Sequence, residues 1–197
     1  SLRQCLNRIA ERKNGTLYNR LSGNRISCVV PMHTFGHLCR IEEIEGICSE
    51  FGLPMVEDAA ESLGSTAGAR HAGTFGLMAA LSFNGNKLIT TGGGGMLLTG
   101  NEDLARRAKH ITTTARVAHP FEIIHVEIGF NFRMPNLNAA LGVAQMENLS
   151  GLIAGQRELA ARYSSFFEQV PSVELLKPRA GTQSNCWLNA VRFSSKA

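Results

Sequence analysis

The sequence lacks the features that direct a chain to a membrane or out of the cell. It shows no secretory signal, and none of its apolar runs is long enough to span a bilayer. Its five cysteines are odd in number and follow no regular spacing, which is typical of reduced thiols rather than of disulfide bonds. We therefore expect a cytoplasmic protein with free cysteines.

The sequence also lacks a concentrated positive charge. The formal net charge is only +4, and lysine and arginine are scattered along the chain. The densest basic group comprises Arg106, Arg107, Lys109 and His110, which we interpret as the solvated end of a helix. Because nucleic-acid binders usually concentrate positive charge on one face, the sequence predicts no nucleic-acid partner.

Standard metal and nucleotide motifs are absent as well. His33, His37, Cys39 and Cys48 lie near one another in the sequence, but their spacing matches no usual zinc pattern. The four glycines at 92–95 do not belong to a P-loop, and no Gly-x-Gly-x-x-Gly motif opens a helix. We therefore predict no metal site and no loop of these nucleotide-binding types.

What the sequence does contain is an alternation of helical and strand-like segments. Apolar strand-like runs occupy residues 26–30, 54–56, 77–83 and 95–99, and helical patterns occupy 41–51 and the residues after Asn101. Nearly continuous apolar strands predict an α/β domain with a mostly parallel sheet flanked by helices.

From Pro135 onward the pattern becomes helical, and after Pro171 it reads as strands. We predict that residues 1–148 form part of a large domain, and that 149–197 form a linking helix and the start of a small α+β domain. Ser1 stands directly against a helical pattern, and the chain ends just after a strand-like run. We therefore expect a segment of a longer protein.

Polar side chains follow two of the predicted strands. Asp58 comes after the strand at 54–56, and Ser82 and Lys87 come at the end of the strand at 77–83. In open α/β sheets, ligands bind outside the carboxyl ends of the strands. Taken singly, Lys87 also fits a surface loop lysine, and Asp58 also fits the cap of the following turn.

Pyridoxal phosphate (PLP) is a cofactor that uses these three groups together. Its aldehyde forms a Schiff base with a lysine amine, and its pyridine nitrogen needs a carboxylate that keeps it protonated. Its phosphate needs hydroxyl and N–H donors. The glycines at 92–95 would let the backbone pass close to such a site, although a plain turn between strands explains them equally well.

Several motifs in order resemble the DegT/StrS family of PLP-dependent nucleotide-sugar aminotransferases. They are Val-Glu-Asp-Ala-Ala-Glu-Ser at 56–62, Gly-Thr-Phe-Gly at 73–76, Ser-Phe-Asn-Gly-Asn-Lys at 82–87, the Thr-Thr-Gly-rich run at 90–95, Gly-Phe-Asn-Phe-Arg-Met at 129–134 and Asn-Ala-Ala-Leu-Gly at 138–142. The resemblance covers most of the chain. It implies a type I aminotransferase fold and a homodimer with active sites at the subunit interface.

The resemblance also implies roles for individual residues. Lys87 would form the Schiff base with PLP and shuttle the proton, and Asp58 would pair with the ring nitrogen. Glu61 would lie near the ring hydroxyl, Ser82 would bind the phosphate, and Asn131 would reach the phosphate of the neighbouring subunit's cofactor. Glu61 stands where the family often has glutamine, so we expect its carboxyl to be protonated or paired.

The substrates implied by the resemblance are a nucleotide-linked 4-keto-6-deoxyhexose and an amino donor, usually glutamate. Residues 112–133 are similar to the branch that makes 4-amino sugars for surface polysaccharides and nonulosonic acids. Residues 31–37 would lie near the substrate mouth, where His33 contacts substrate or is a satisfied loop histidine. Arg133 is the other candidate substrate residue.

Three alternatives stay open at this point. Relatives with histidine in place of Lys87 are PLP-dependent sugar dehydratases. A non-catalytic or regulatory member of the same fold would keep the motifs. The family's earlier phosphate loop and ring-stacking aromatic should lie upstream of Ser1, so the chain alone is also compatible with an inactive segment.

Overall fold

The computed structural model describes residues 1–194 of the chain. Its helices are α1 (Leu2–Ile9), α2 (Ile41–Phe51), α3 (Glu102–Thr112), α4 (Asn136–Glu147) and α5 (Leu149–Phe167), with a short 3-10 helix at Thr34–Gly36. Its strands are β1 (Ala10–Lys13), β2 (Thr16–Asn19), β3 (Val56–Asp58), β4 (Thr66–Ala67), β5 (Arg70–His71), β6 (Met78–Ser82), β7 (Gly95–Leu98), β8 (Arg116–Val117), β9 (Ile124–His125), β10 (Val173–Leu175), β11 (Thr182–Gln183) and β12 (Val191–Phe193).

The sheet that carries the strand-end residues is built from β3, β6 and β7. Strands β3 and β6 are parallel, with Val56 opposite Met78 and Asp58 opposite Ala80. Isolated parallel bridges extend this sheet at Val29, opposite Met55, and at Met32, opposite Asp58. The predicted α/β fold is confirmed, and the strands that deliver the candidate site residues are the parallel ones.

Strand β7 differs from the prediction because it runs antiparallel to β6, with Ser82 opposite Gly95. A parallel connection needs a crossover that usually contains a helix. The connection at 83–94 contains no helix and turns back directly onto β6. The sheet is therefore mixed at this edge rather than parallel throughout.

The predicted strand at 26–30 is not a continuous strand. The chain there makes only single bridges, at Val29 and at Met32, and Pro31 between them has no N–H to donate to a ladder. The strand predicted at 54–56 begins at Val56 and continues to Asp58, after a single bridge at Met55. Short strands at 10–13, 16–19, 66–67 and 70–71 were missed because their hairpins are largely polar.

The helix predictions agree well with the structure. Helix α2 spans Ile41–Phe51 and ends at Gly52, which adopts the left-handed conformation. Asn101 caps α3, and its Oδ1 accepts a hydrogen bond of 3.0 Å from the backbone N–H of Leu104. The long helical pattern after Pro135 is two helices, because α4 ends at Glu147 and Asn148 separates it from α5.

The core lies between α2 and the strands it covers. One buried cluster joins Leu38 and Ile41 to Met55 and Phe75. A second cluster packs Leu6 of α1 and Leu17 of β2 beneath the same helix. No helix among the described residues is long and apolar enough to cross a membrane.

The chain returns to the body of the molecule after α5. Strand β11 pairs with β4, with Thr182 opposite Ala67, and β10 pairs with β12. This return brings residues 184–188 beside the strand-end site. The boundary between 1–148 and 149–197 stays a prediction, and residues 195–197 of the second range lie outside the described residues.

Candidate active site

Asp58 and Ser82 end two neighbouring parallel strands and therefore lie at the same edge of the sheet. Asp58 of β3 stands opposite Ala80 of β6, and Ser82 follows Ala80 two residues later on β6. Oδ1 of Asp58 accepts a hydrogen bond of 3.2 Å from the backbone N–H of Ala60, which is the local capping role that the sequence left open. The Ser82 hydroxyl similarly accepts a hydrogen bond of 3.3 Å from the backbone N–H of Asn84.

Lys87 is not a freely solvated loop lysine, since its side chain is only 13% exposed. Its Nζ lies 3.7 Å from Oε1 of Glu61 and 3.9 Å from the centre of the Trp187 ring. Lys87, Glu61, Ser82 and Trp187 all line one small cavity. The structure therefore brings the amine and the hydroxyl together, with a second carboxylate beside the amine.

Glu61 is paired, which is one of the two states that the sequence left open. One carboxylate oxygen faces Lys87, and the other accepts a hydrogen bond of 2.7 Å from the backbone N–H of Phe35. Phe35 adopts a left-handed conformation with φ of 61°, which a residue other than glycine rarely adopts. Glu61 thus stabilises this turn and also holds negative charge beside the lysine.

Glu57, directly before Asp58, lies in the interior with no exposed surface. Its carboxylate accepts hydrogen bonds from the backbone N–H groups of Gly73, Phe75 and Gly76 at 2.6–2.7 Å. Burial alone would raise its pKa, but these bonds and the contact with His33 lower the pKa below its usual value. Glu57 therefore ties the Gly-Thr-Phe-Gly turn to the strand that carries Asp58.

His33 is also fully buried, and its Nε2 lies 3.0 Å from Oε2 of Glu57. Burial alone would lower the pKa of His33, but the side chains of Cys39 and Glu57 raise it to about 9. The backbone N–H of Cys39 also lies 3.4 Å from Nδ1 of His33. In this geometry His33 is an interior histidine whose hydrogen bonds are made, and its side chain offers no surface to a substrate.

Neither Asn131 nor Arg133 lines the cavity that Lys87, Glu61 and Ser82 share. Both are exposed, and the backbone of Asn131 forms a bridge with Thr113. Arg133 lines a groove beside the glycines at 92–95. A Cβ atom at Gly95 would lie 2.3 Å from the backbone oxygen of Leu81, so packing of β7 against β6 requires glycine there.

Two residues of the site were missed by the sequence reasoning, namely Asn185 and Trp187. Trp187 packs on Lys87, and Asn185 is fully buried with its Nδ2 2.9 Å from the backbone oxygen of Glu61. Both lie about 100 residues along the chain from Lys87 and belong to no motif. The one usable signal is that Trp187 is the single tryptophan of the chain.

The residues at this edge fit PLP. They supply a part-buried amine, a carboxylate on the neighbouring strand and a hydroxyl at the strand end, which are the donor types that PLP needs. Among the described residues, no three His, Cys, Asp or Glu side chains form a group that could hold a metal ion.

Solved structures with the same fold are aminotransferases. TlmJ from Streptoalloteichus hindustanus matches with a TM-score of 0.81 and 29% identity over 85% of this chain and 46% of that one. PseC from Helicobacter pylori is an aminotransferase involved in the biosynthesis of pseudoaminic acid. It matches with a TM-score of 0.82 and 25% identity over 93% of this chain and 51% of that one. The fold is therefore that of the type I, PLP-dependent aminotransferases.

The family can be stated more closely. The chain belongs to the DegT/DnrJ/EryC1/StrS aminotransferase family, whose model matches residues 19–197. It is 33% identical to GDP-perosamine synthase of Vibrio cholerae over 172 residues, which are 87% of this chain and 46% of that protein. The chain thus spans about half the length of the curated relatives it matches.

Proposed function

We propose that the protein to which this chain belongs is a PLP-dependent aminotransferase acting on a nucleotide-linked sugar. The observation that carries the proposal is the position of Lys87, whose amine is held beside Glu61 next to the strand ends with Asp58 and Ser82. A lysine amine, a carboxylate and a hydroxyl at one sheet edge are what PLP chemistry uses. Membership of the aminotransferase family supports the same function.

When bound, PLP supplies an aldehyde for the lysine amine and a ring that draws electrons from the reacting carbon. In this proposal the Lys87 amine would hold the aldehyde and, when free, its Nζ would take up the proton that leaves the substrate carbon. The Asp58 carboxylate would keep the ring nitrogen protonated, and the Ser82 hydroxyl would donate a hydrogen bond to the phosphate. Glu61 would orient the lysine amine and lie near the ring hydroxyl.

The proposed acceptor is a nucleotide-linked 4-keto-6-deoxyhexose, and the proposed donor is glutamate. The names of relatives support a sugar substrate, since they include GDP-perosamine synthase and an aminotransferase of pseudoaminic acid biosynthesis. The product would be an amino sugar for surface polysaccharide or nonulosonic acid. Lys87 favours amino transfer over the dehydratase alternative, because the amine can both bind the aldehyde and move the proton.

We further propose that the complete protein is a cytoplasmic homodimer with its active site at the subunit interface. The exposed apolar side chains of residues 121–137 support an interface on that side, since Phe121, Ile128 and Leu137 are each more than 80% exposed. Asn131 lies in the same segment and is exposed. In the dimer Asn131 would reach the phosphate held by the neighbouring subunit, and Arg133 would face the substrate.

The test is a reductive trap at Lys87. The complete protein and this chain are each incubated with PLP and reduced with borohydride, and the added mass is located by peptide mass spectrometry. We expect the label on Lys87 in clear excess over Lys13 and Lys177, whose side chains are about 60% exposed. Those two lysines measure the adventitious reaction of surface amines with the aldehyde.

The matched control is Lys87→Arg, which keeps the positive charge but supplies no amine that forms a Schiff base. We expect this variant to lose the excess label and the transfer of nitrogen from glutamate, while its unfolding midpoint stays close to that of the unchanged protein. Labelling of the complete protein at surface lysines alone would contradict the proposed function.

A further inference from the structure

The strongest unexplained feature of the molecule is the segment at 184–188, which crosses from β11 to lie over Lys87. The face of the Trp187 ring is 3.9 Å from Nζ, and the Glu61 carboxylate is 3.7 Å away. The lysine amine is therefore held between an aromatic face and a carboxylate. Both contacts are attractive for an ammonium group, and each is strengthened where water is partly excluded.

Buried hydrogen bonds hold this segment in place. Nδ2 of Asn185 donates to the backbone oxygens of Glu61 and Leu63 at 2.9 and 3.0 Å, and the N–H of Asn185 donates to the hydroxyl of Ser65 at 2.8 Å. The Asn185 side chain occupies the space where a Cβ at Gly36 would stand, 1.8 Å away. The segment is thus anchored to the loop that carries Glu61.

The indole of Trp187 is fixed by its own polar contacts. Its Nε1–H donates a hydrogen bond of 2.8 Å to the backbone oxygen of Asn86, the residue before Lys87. Its backbone N–H donates to Oδ1 of Asn185 at 3.0 Å. The ring is therefore tied to the lysine loop at one side and to the Glu61 loop at the other, with its face against the amine.

We propose that Trp187 is a positioning residue for Lys87: its ring holds the amine beside Glu61 and shields it from solvent until a carbonyl compound arrives. A role of Trp187 in amino transfer rests on the proposed function. The shielding of the Lys87 amine by the ring does not rest on it. The aldehyde of the cofactor would approach the amine along the side that Trp187 and Glu61 leave open.

The test measures the reactivity of Lys87 without any cofactor. Limiting acetic anhydride is added, and the acetylation rate of Lys87 relative to Lys13 and Lys177 is read by peptide mass spectrometry. Loss of the ring in Trp187→Leu should raise this relative rate roughly two- to fivefold, as expected from the size of a cation–π contact. Trp187→Phe keeps an aromatic face, so its rate should stay near that of the unchanged chain.

Local folding is checked at Cys48, which is only 3% exposed and lies on the buried face of α2, in the core. Protection of Cys48 from a thiol reagent in Trp187→Leu shows that the effect at Lys87 is local. An unchanged Lys87 rate in Trp187→Leu overturns the proposal. A Trp187→Phe rate as high as that of Trp187→Leu overturns it too, because the aromatic face would then not hold the amine.

A second measurement covers the case in which Trp187→Leu does not fold. Because Trp187 is the single tryptophan, its fluorescence reports on the ring directly. Lys87→Gln removes the cation from the ring and should shift the emission, whereas Lys109→Gln on α3 should leave it unchanged. Identical emission in both variants overturns the proposal. None of these measurements uses PLP, so a failed reductive trap contradicts the proposed function alone.

Discussion

Two regions of this chain differ in what they bury: one buries polar groups, and the other leaves apolar side chains exposed. The first, which we call the rim, is the set of residues around the strand ends: His33, Glu57, Glu61, Ser65, Lys87 and Asn185. It buries His33, Glu57, Ser65 and Asn185 almost completely and gives each one hydrogen-bond partners. The second, which we call the arm, is residues 121–137, where Phe121, Ile128 and Leu137 are 93%, 85% and 84% exposed.

The difference shows where the stability of this chain comes from. A buried polar group is tolerated only when its bonds are made, so the rim holds its geometry through contacts within the chain. The exposed apolar side chains of the arm bury little surface in this chain and contribute little to its stability. Matched substitutions in the two regions should therefore change the free energy of unfolding by very different amounts.

The largest contrast is expected between two phenylalanines. Phe75 is 7% exposed and belongs to the core under α2, whereas Phe121 is 93% exposed. Phe75→Ala should lower the free energy of unfolding by about 3–5 kcal/mol because it removes a buried ring and leaves a cavity. Phe121→Ala should leave it almost unchanged. Urea unfolding of both variants measures the difference, and equal losses would contradict the comparison.

The next largest effect is expected at the buried pair of Glu57 and His33. Removing one partner of such a pair leaves the other buried and uncompensated, so Glu57→Gln should cost about 3 kcal/mol. Glu127 is the control from within the arm, since its pair with Arg107 is open to solvent. Glu127→Gln should barely move the urea midpoint.

The same pair predicts how stability changes with pH. The pKa of His33 is raised to about 9 in the folded chain from an unfolded value near 6.5. The contribution of His33 to the free energy of unfolding is therefore fully present below about pH 6.5. It is lost as the pH rises through about 9, by an amount on the order of 3 kcal/mol. His33→Gln should flatten this slope, and an equally steep fall in the variant would show that another group causes it.

The smallest effect is expected at Glu61, where charge and hydrogen bonding can be separated. Glu61→Ala removes the acceptor for the N–H of Phe35 and should cost about 1 kcal/mol. Glu61→Gln keeps an acceptor oxygen and should cost less, although it loses the ion pair with Lys87. Urea unfolding of both variants tests this, and a larger loss for glutamine than for alanine would contradict the assigned role.

The candidate residues at the strand ends could be predicted from the sequence because they lie at the ends of apolar runs. Asp58, Ser82 and Lys87 were found in this way, and the parallel pairing of β3 and β6 brings the first two to one edge. The pairing of Glu61 was left open, because the partner of a carboxylate depends on which loop lies opposite. The burial of His33 was likewise undecided, because nothing local shows which side of a loop faces the core.

The sequence by itself determined the α/β alternation, the caps of α2 and α3, the family, and the aspartate, serine and lysine at or just after the strand ends. These follow from local periodicity, caps and short motifs. Only the tertiary structure decided that β7 runs antiparallel, that Glu57 anchors the glycine turn, and that Trp187 lies on Lys87. Those contacts join separate segments of the chain, which no local pattern relates, and a buried polar group such as Glu57 needs a partner from another segment.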